Sequence, residues 1–411
     1  MSFSLSRAAV LAVALLLPCI APAAPLSLEA ALQLASRRSE TARAAQAGLQ
    51  GATEAARAAA QLPDPTLSLS LENLPAEGDS RFHTAREPMT MKRIGLRQEW
   101  LSAEKRAARQ AAADASVGRE RVQLQAAAAD TRLQTALAYV DAFYAGETLK
   151  LAVLAEHHAH EAVEAARGRL ASAAAGSEEV LALAVARGAL EDGAAEVRQQ
   201  QHAARIALAR WTGVPSDALL APGAVPAPAE EAYVARHPAV AAMRRDAELA
   251  ARKAAVTASE RAPNWTWEVA YGQRAGRADM VSVGVSVPLR LAPAERQDRD
   301  TAAALALAGK AEAELAEAVR AARTEYRTLQ ADAERLRQRI ARYHSAIVAP
   351  AQQRTAAATA AYRSAQGSLA PLFEARHAEV DAGRRLLALE RELARAQVQL
   401  AFRPIDAEEA Q

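Results

Sequence analysis

The sequence predicts a mostly helical chain with a small β part, in which one helix–strand–strand–long helix–helix unit is written twice. Three observations predict it. Of 411 residues 51% are apolar but only 4% aromatic, so much of the apolar share is alanine, which covers helix surfaces well and fills a thick core poorly. Two stretches, 103–175 and 294–366, carry almost no breakers, and each would make about 110 Å of helix at 1.5 Å per residue. The second half also repeats local features of the first at an offset of about 190 residues.

Residues 1–23 read as a secretory leader. Arg7 supplies the positive start, 8–17 is apolar but too short to span a bilayer, and Ala21-Pro22-Ala23 fits the small-x-small cleavage rule. Cys19 offers a second reading, a lipoprotein leader acylated on that cysteine, with Pro18 standing where a small residue is expected. As the single cysteine it excludes a disulfide framework and any Cys-based zinc site. Fifty basic against 48 acidic residues leave a net charge of +2, which points to no nucleic-acid partner. No later stretch reaches 18 uninterrupted apolar residues, so any membrane crossing has to use strands.

Repeat 1 is expected over 24–220, a Pro-rich linker over 221–230, repeat 2 over 231–403 and a tail over 404–411. Strands are expected near 65–73, 89–101, 264–272 and 280–289, each alternating apolar with small, polar or charged residues. Leu67, Leu69 and Leu71, then Trp265 and Trp267, then Val283 and Val285 would share a lipid-facing side of a water-lined barrel. A soluble sandwich has the same alternation, but this chain offers no second sheet. Four strands cannot close a membrane barrel, which takes at least eight, so several chains would have to share one.

Long hairpins are expected over 103–210, with a tip near 176, and over 294–402, with a tip near 367. Leu133, Leu137, Val140, Tyr144 and Leu151 fall on alternate spacings of three and four with one seven-step, and Leu329, Leu336, Ile340, Tyr343 and Ile347 do likewise. That is a coiled-coil seam. Gly309 and Pro350 are the breaks expected in the second long helix. Hairpins this elongated make a poor enzyme scaffold, and no nucleophile–base pair, phosphate-binding glycine loop or metalloprotease helix occurs. The expectation is a non-enzyme without cofactors. Two weak metal signals exist: His157 and His160, one helical turn apart, and Met89 and Met91 before the second strand. Each is also read as ordinary helix surface or packing.

The chain resembles the TolC-like outer-membrane efflux proteins, and within them the heavy-metal branch typified by CzcC and CusC. The resemblance rests on Leu28-Glu29-Ala30-Ala31-Leu32, His237-Pro238-Ala239-Val240, Leu208-Ala209-Arg210-Trp211-Thr212-Gly213, and the second-tip run from Ala361-Tyr362-Arg363 through Gly367-Ser368-Leu369-Ala370 to Glu374-Ala375-Arg376. It implies a homotrimer in outer-membrane lipid, with a shared twelve-stranded barrel and a periplasmic helical tunnel. Partners would be a periplasmic adaptor and an inner-membrane pump of RND type, and the cargo heavy-metal cations. The adaptor would meet the tips at Gly176, Ser177, Gly367 and Ser368, where a tight turn calls for residues tolerating positive φ. Relatives often show Gly-x-Gly-Ser, whereas Ala174 and Ala365 stand at the first position here. Glu178 and Glu179 would form an acidic ring at the constriction, or serve the helix dipole with Ser177 as cap, and Arg363 would pair with them. The other readings are a soluble periplasmic coiled-coil tether, or a duct for drug efflux or type I secretion.

Overall fold

The computed structural model describes residues 25–174, 176–216, 218–223, 225–364 and 366–406; the leader, Cys19 and Ala365 lie outside them. Each half opens with a pair of helices where the sequence predicts one. Helices α1 (Leu28–Arg38) and α2 (Glu40–Ala58) are divided at Ser39, whose extended backbone ends one helix and whose Oγ accepts the Ala42 N–H of the next at 3.1 Å. Helices α5 (Glu230–Ala235) and α6 (Pro238–Ser259) are divided at His237, because Pro238 has no N–H to give and sits best at a helix start.

Strands β1 (Thr66–Glu72), β2 (Met91–Trp100), β3 (Trp265–Arg274) and β4 (Met280–Ser286) form one antiparallel sheet in sequence order. The central pairing, β2 with β3, joins the two halves across about 170 residues of intervening chain.

Helix α3 (Ala103–Ala171) runs unbroken for 69 residues, or about 104 Å at 1.5 Å each. It packs on α2 and α6 in its first half and on α4 (Ser177–Thr212) and α9 (Leu369–Phe402) in its second. Gly118, Gly146 and Gly168 do not interrupt it, since an internal glycine weakens a helix without forcing an end. Its counterpart is broken. After a 3₁₀ turn at Pro293–Glu295, α7 (Gln297–Tyr343) gives way to a π-turn at His344–Val348 and then to α8 (Ala349–Arg363). Pro350 lacks an N–H and its ring crowds the carbonyl four residues back, and the π-turn absorbs that defect, with the Ala349 N–H reaching His344 O. Gly309 leaves α7 continuous.

The interior is thin. Most fully covered apolar side chains are alanines, and the large exceptions brace particular points. Tyr139, wholly buried, directs its hydroxyl at the carbonyls of Leu26 and Leu220, each 2.7 Å away. It thereby anchors the start of the described chain, which pairs with Leu219, against α3. Tyr233 packs its ring at a tilt against those of Tyr326 and His237 in the second half, and burial pushes its phenol up.

Candidate functional site: four-stranded sheet, junction and hairpin tips

The register brings residues of one parity together on each face of the sheet. Leu67 faces Leu96, Leu69 faces Ile94, Ile94 faces Tyr271, Val269 faces Val283, and Trp267 faces Val285. All the residues expected to face lipid therefore share one side, and they are exposed, Leu69 to 76% and Val283 to 74%. Lys92, Gln98 and Gln273 are the polar members of that side. Trp100 sits opposite Trp265 at the end nearest the helices, where aromatic rings suit a membrane–water boundary. The other side carries charge: Arg93 binds Glu72 at 3.2 Å and Glu268 at 2.8 Å, and Arg97 binds Glu268 at 2.9 Å. A sheet with a broad bare apolar side and a salt-bridged polar side fits lipid on one and water on the other. Strands β1 and β4 are its edges, each paired on one side only.

Where sheet meets helices lies a network that the sequence did not mark. The Lys105 side chain is 1% exposed, and its Nζ donates to Glu260 Oε2 at 3.0 Å and to Asn264 Oδ1 at 2.5 Å. Arg109 donates to the other Glu260 oxygen at 3.0 Å, and Asn264 donates to Glu99 at 2.7 Å. Burial alone would push the Glu260 carboxyl up, but the hydrogen bonds and charges of Lys105 and Arg109 outweigh it and hold the group below the usual carboxylate range.

The tips have a shape other than the expected one. Helix α3 ends in a paired Schellman closure: Ala173 N–H bonds Leu170 O at 3.0 Å and Ala174 N–H bonds Arg169 O at 2.8 Å. The positive φ this needs, 55°, falls on Ala173, while Gly176 is extended at φ −88° and caps α4 with its backbone alone. Ser177 is the first helical residue and not the cap. At the second tip the Gln366 and Gly367 N–H groups both bond Ala361 O at 3.0 Å, and Ser368 is the N-cap without a side-chain bond. Gly367 does not have positive φ either; a Cβ there would press on Ala361 at 3.2 Å, so close approach is its requirement.

Gly176, Ser177, Glu178, Gly367 and Ser368 are all exposed. Glu179 leans back across the hairpin to Arg169 at 3.5 Å. Arg363, the expected partner of the acids, is exposed and makes no ion pair among the described residues; Arg169 holds the position that puts a guanidinium within reach. Beneath the turns the two hairpins are welded by Val163, Ala166, Leu183, Leu369 and Leu372.

The metal signals do not converge. His157 pairs with Glu161 at 3.3 Å on an exposed face, and His160 is exposed. Half-buried His158 is pushed down by burial, with Arg376 adding to the effect. Met91 lies across Gly272, where a Cβ would collide with its sulfur, whereas Met89 sits in the preceding loop, its carbonyl accepting from Asn73. Among the described residues no three His, Cys, Asp or Glu side chains converge as a metal site requires. No described helix is long and apolar enough to cross a membrane.

No protein-family model matches the sequence, and no curated protein does. Solved structures do match. The CmeC outer membrane channel of Campylobacter jejuni superposes with a TM-score of 0.76 at 14% identity, over 91% of this chain and 85% of that one. The outer-membrane channel OprN matches with a TM-score of 0.76 at 16% identity, over 92% and 90%. CusC matches with a TM-score of 0.76 at 14% identity, over 91% of both chains. The chain thus has the fold of the TolC-like outer-membrane channels along nearly its whole described length.

Proposed function

We propose that this chain is one subunit of a trimeric outer-membrane exit duct in a tripartite efflux system. The observation that carries the proposal is the four-stranded sheet, bare and apolar on one side, with β1 and β4 unpaired at its edges. Free edges invite strand addition, and closing a barrel removes them. Two chains would supply eight strands, whose interior is filled by side chains. Three supply twelve, the smallest multiple of four beyond that. In this arrangement the ion-paired side of the sheet lines water and the hairpins extend the wall into the periplasm.

The exposed tips at Gly176–Ser177 and Gly367–Ser368 are the surface offered to a periplasmic adaptor, itself coupled to a proton-driven inner-membrane pump of RND type. The chain acts as a passive duct. Its cargo in this reading is heavy-metal cations, which the resemblance to the CzcC and CusC branch supports, as does exposed Glu178, repeated three times around an axis as an acidic ring.

The test is a heat-modifiability gel with light scattering on detergent-extracted membranes. The expected species is an oligomer of about 125 kDa of protein, three chains of 43.5 kDa less their leaders. A monomer in the soluble fraction would overturn the duct and favour a periplasmic tether. A deletion strain sensitised to a divalent transition metal supports the cargo, and one sensitised only to lipophilic drugs refutes it.

A further inference from the structure

Midway along the hairpins, α4 and α9 flank α3 and leave an open groove of about 1150 Å³. Its floor is apolar, with Leu137 and Tyr144 of α3, Leu387 of α9, and alanines and Trp211 of α4. Its rim is basic. Arg384, Arg391 and Arg395 succeed one another at helical spacings along one side of α9, with Arg385 beside them. The acids in the groove are already engaged: Asp141 binds Arg395 and lies 3.8 Å from Arg391, and Asp381 lies 3.5 Å from His377. Arg384 and Arg385 make no ion pair among the described residues; Asp381 stands one turn before them, and with four arginines against two carboxylates the groove keeps a net positive charge over an apolar floor.

The groove also has a defined side. Tyr139, on the opposite face of α3 from Asp141, Tyr144 and Thr148, holds the strand-like segments at Leu26 and Leu220. With those connecting segments on the outside of the wall, the groove turns toward the channel axis; this placement rests on the duct reading above. The two arginines stand about 16 residues beyond the second tip, roughly 25 Å along the helix. That exceeds the Debye length of about 8 Å at physiological ionic strength, so Glu178 at the tip does not neutralise them.

We infer that this groove is a binding site for amphipathic organic anions: a ring system on the apolar floor, and a sulfonate or carboxylate on Arg384 and Arg385. A planar guanidinium suits a bidentate oxyanion, and the aromatic floor suits a flat body.

The full-length protein, transferred to amphipol so that no micelle takes up the probe, is titrated with 4-nitrobenzenesulfonate, a quencher of tryptophan fluorescence. Trp100, Trp265 and Trp267 are first changed to Phe, leaving Trp211 as reporter. Saturable quenching is expected, about tenfold weaker in affinity in the Arg384→Gln/Arg385→Gln variant and weakened by raised salt. The uncharged 4-nitrobenzenesulfonamide should quench without saturating. Equal saturable quenching by the sulfonamide, or an affinity indifferent to the two arginines, overturns the site. If the triple Phe protein does not assemble, the difference between the parent and Trp211→Phe supplies the same reading. A chain that binds the sulfonate but forms no conducting oligomer in planar bilayers refutes the duct and leaves the groove standing; a conducting oligomer indifferent to the sulfonate does the reverse.

Discussion

Removing the charge of Glu260 should destabilise the protein more than removing the buried lysine it serves. Lys105 is 1% exposed, and among the described residues its ammonium has Glu260 and Asn264 to answer it. Breaking a buried pair by deleting one partner costs about 3–5 kcal/mol, because the other charge is stranded in low dielectric. Glu260 is 37% exposed, so water reaches that end of the pair, and Glu260→Gln should lose nearer to 2 kcal/mol. Lys105→Met removes the charge together with its desolvation penalty. Arg109 still holds Glu260 and Glu99 still holds Asn264, so the expected loss is about 1 kcal/mol or less. The double variant should resemble Lys105→Met. The assay is the thermal midpoint of the detergent-extracted protein, which should shift by about 1 °C per kcal/mol in a chain of this length. A Lys105→Met midpoint as low as that of Glu260→Gln would refute the argument, since the pair would then contribute net attraction and not merely relieve a buried charge.

Three further outcomes follow from the same geometry. Val283→Arg places a charge in the middle of the bare apolar side and should cost about 2–4 kcal/mol and deplete the outer-membrane fraction, whereas Ser282→Arg, one residue away on the polar side, should assemble. Ala173→Gly should stabilise by about 1 kcal/mol and so raise the midpoint, because the turn demands φ 55° of a residue with a Cβ; an unchanged midpoint would refute that demand. His237, its Nε2 3.3 Å from Glu325 Oε2, holds the Glu325 carboxyl below its usual 4.5, with Arg403 at 3.1 Å and the Tyr233 hydroxyl, which donates at 3.2 Å, assisting. A carboxylate lowered on folding stabilises above its unfolded pKa, and that stability is lost as pH falls through the folded value. Midpoints should therefore fall below about pH 4.5 in the parent, and Glu325→Gln should flatten that part of the profile.

What the sequence makes legible here is periodicity. Alternation in four short runs places Leu67, Trp267 and Val283 on one side because side chains along a strand alternate whatever it pairs with. Long proline-free stretches read as helices because propensity sums along a chain. Contacts between distant segments carry no such signal. Lys105 and Glu260 stand 155 residues apart, and each alone reads as an ordinary surface charge. Arg363, close to the second tip, reads as a partner for the tip acids, but the hairpin closes so that Arg169 reaches Glu179. The glycines of the tips mark the turns, yet the strained backbone falls three residues earlier on Ala173, since the Schellman closure is set by where α3 stops. The π-turn was visible only as Pro350; the sequence marks the defect, and packing decides how the helix absorbs it.

The repeat visible in the sequence does not make two independent folding units, and this can be tested directly. The hairpin β1–β2 is a two-stranded ribbon, marginal by itself in water, and its long partner on the inner edge is β3 from the other half. Helix α3 is covered by α2 and α4 from its own half but also by α6 and α9, with Arg119 bound to Asp246 at 2.6 Å and Arg376 to Glu161 at 3.0 Å. Val398 packs on Leu133 and Val140 in the same way. A chain ending at 220 would expose that whole face of α3 together with one edge of β2. Expressed alone, residues 25–220 should aggregate or lack a cooperative thermal transition, while the two halves expressed together should recover assembly. A first half that melts cooperatively by itself would show that its own alanine-lined contacts suffice, and that the pairing of β2 with β3 is docking between finished halves instead of a condition of folding.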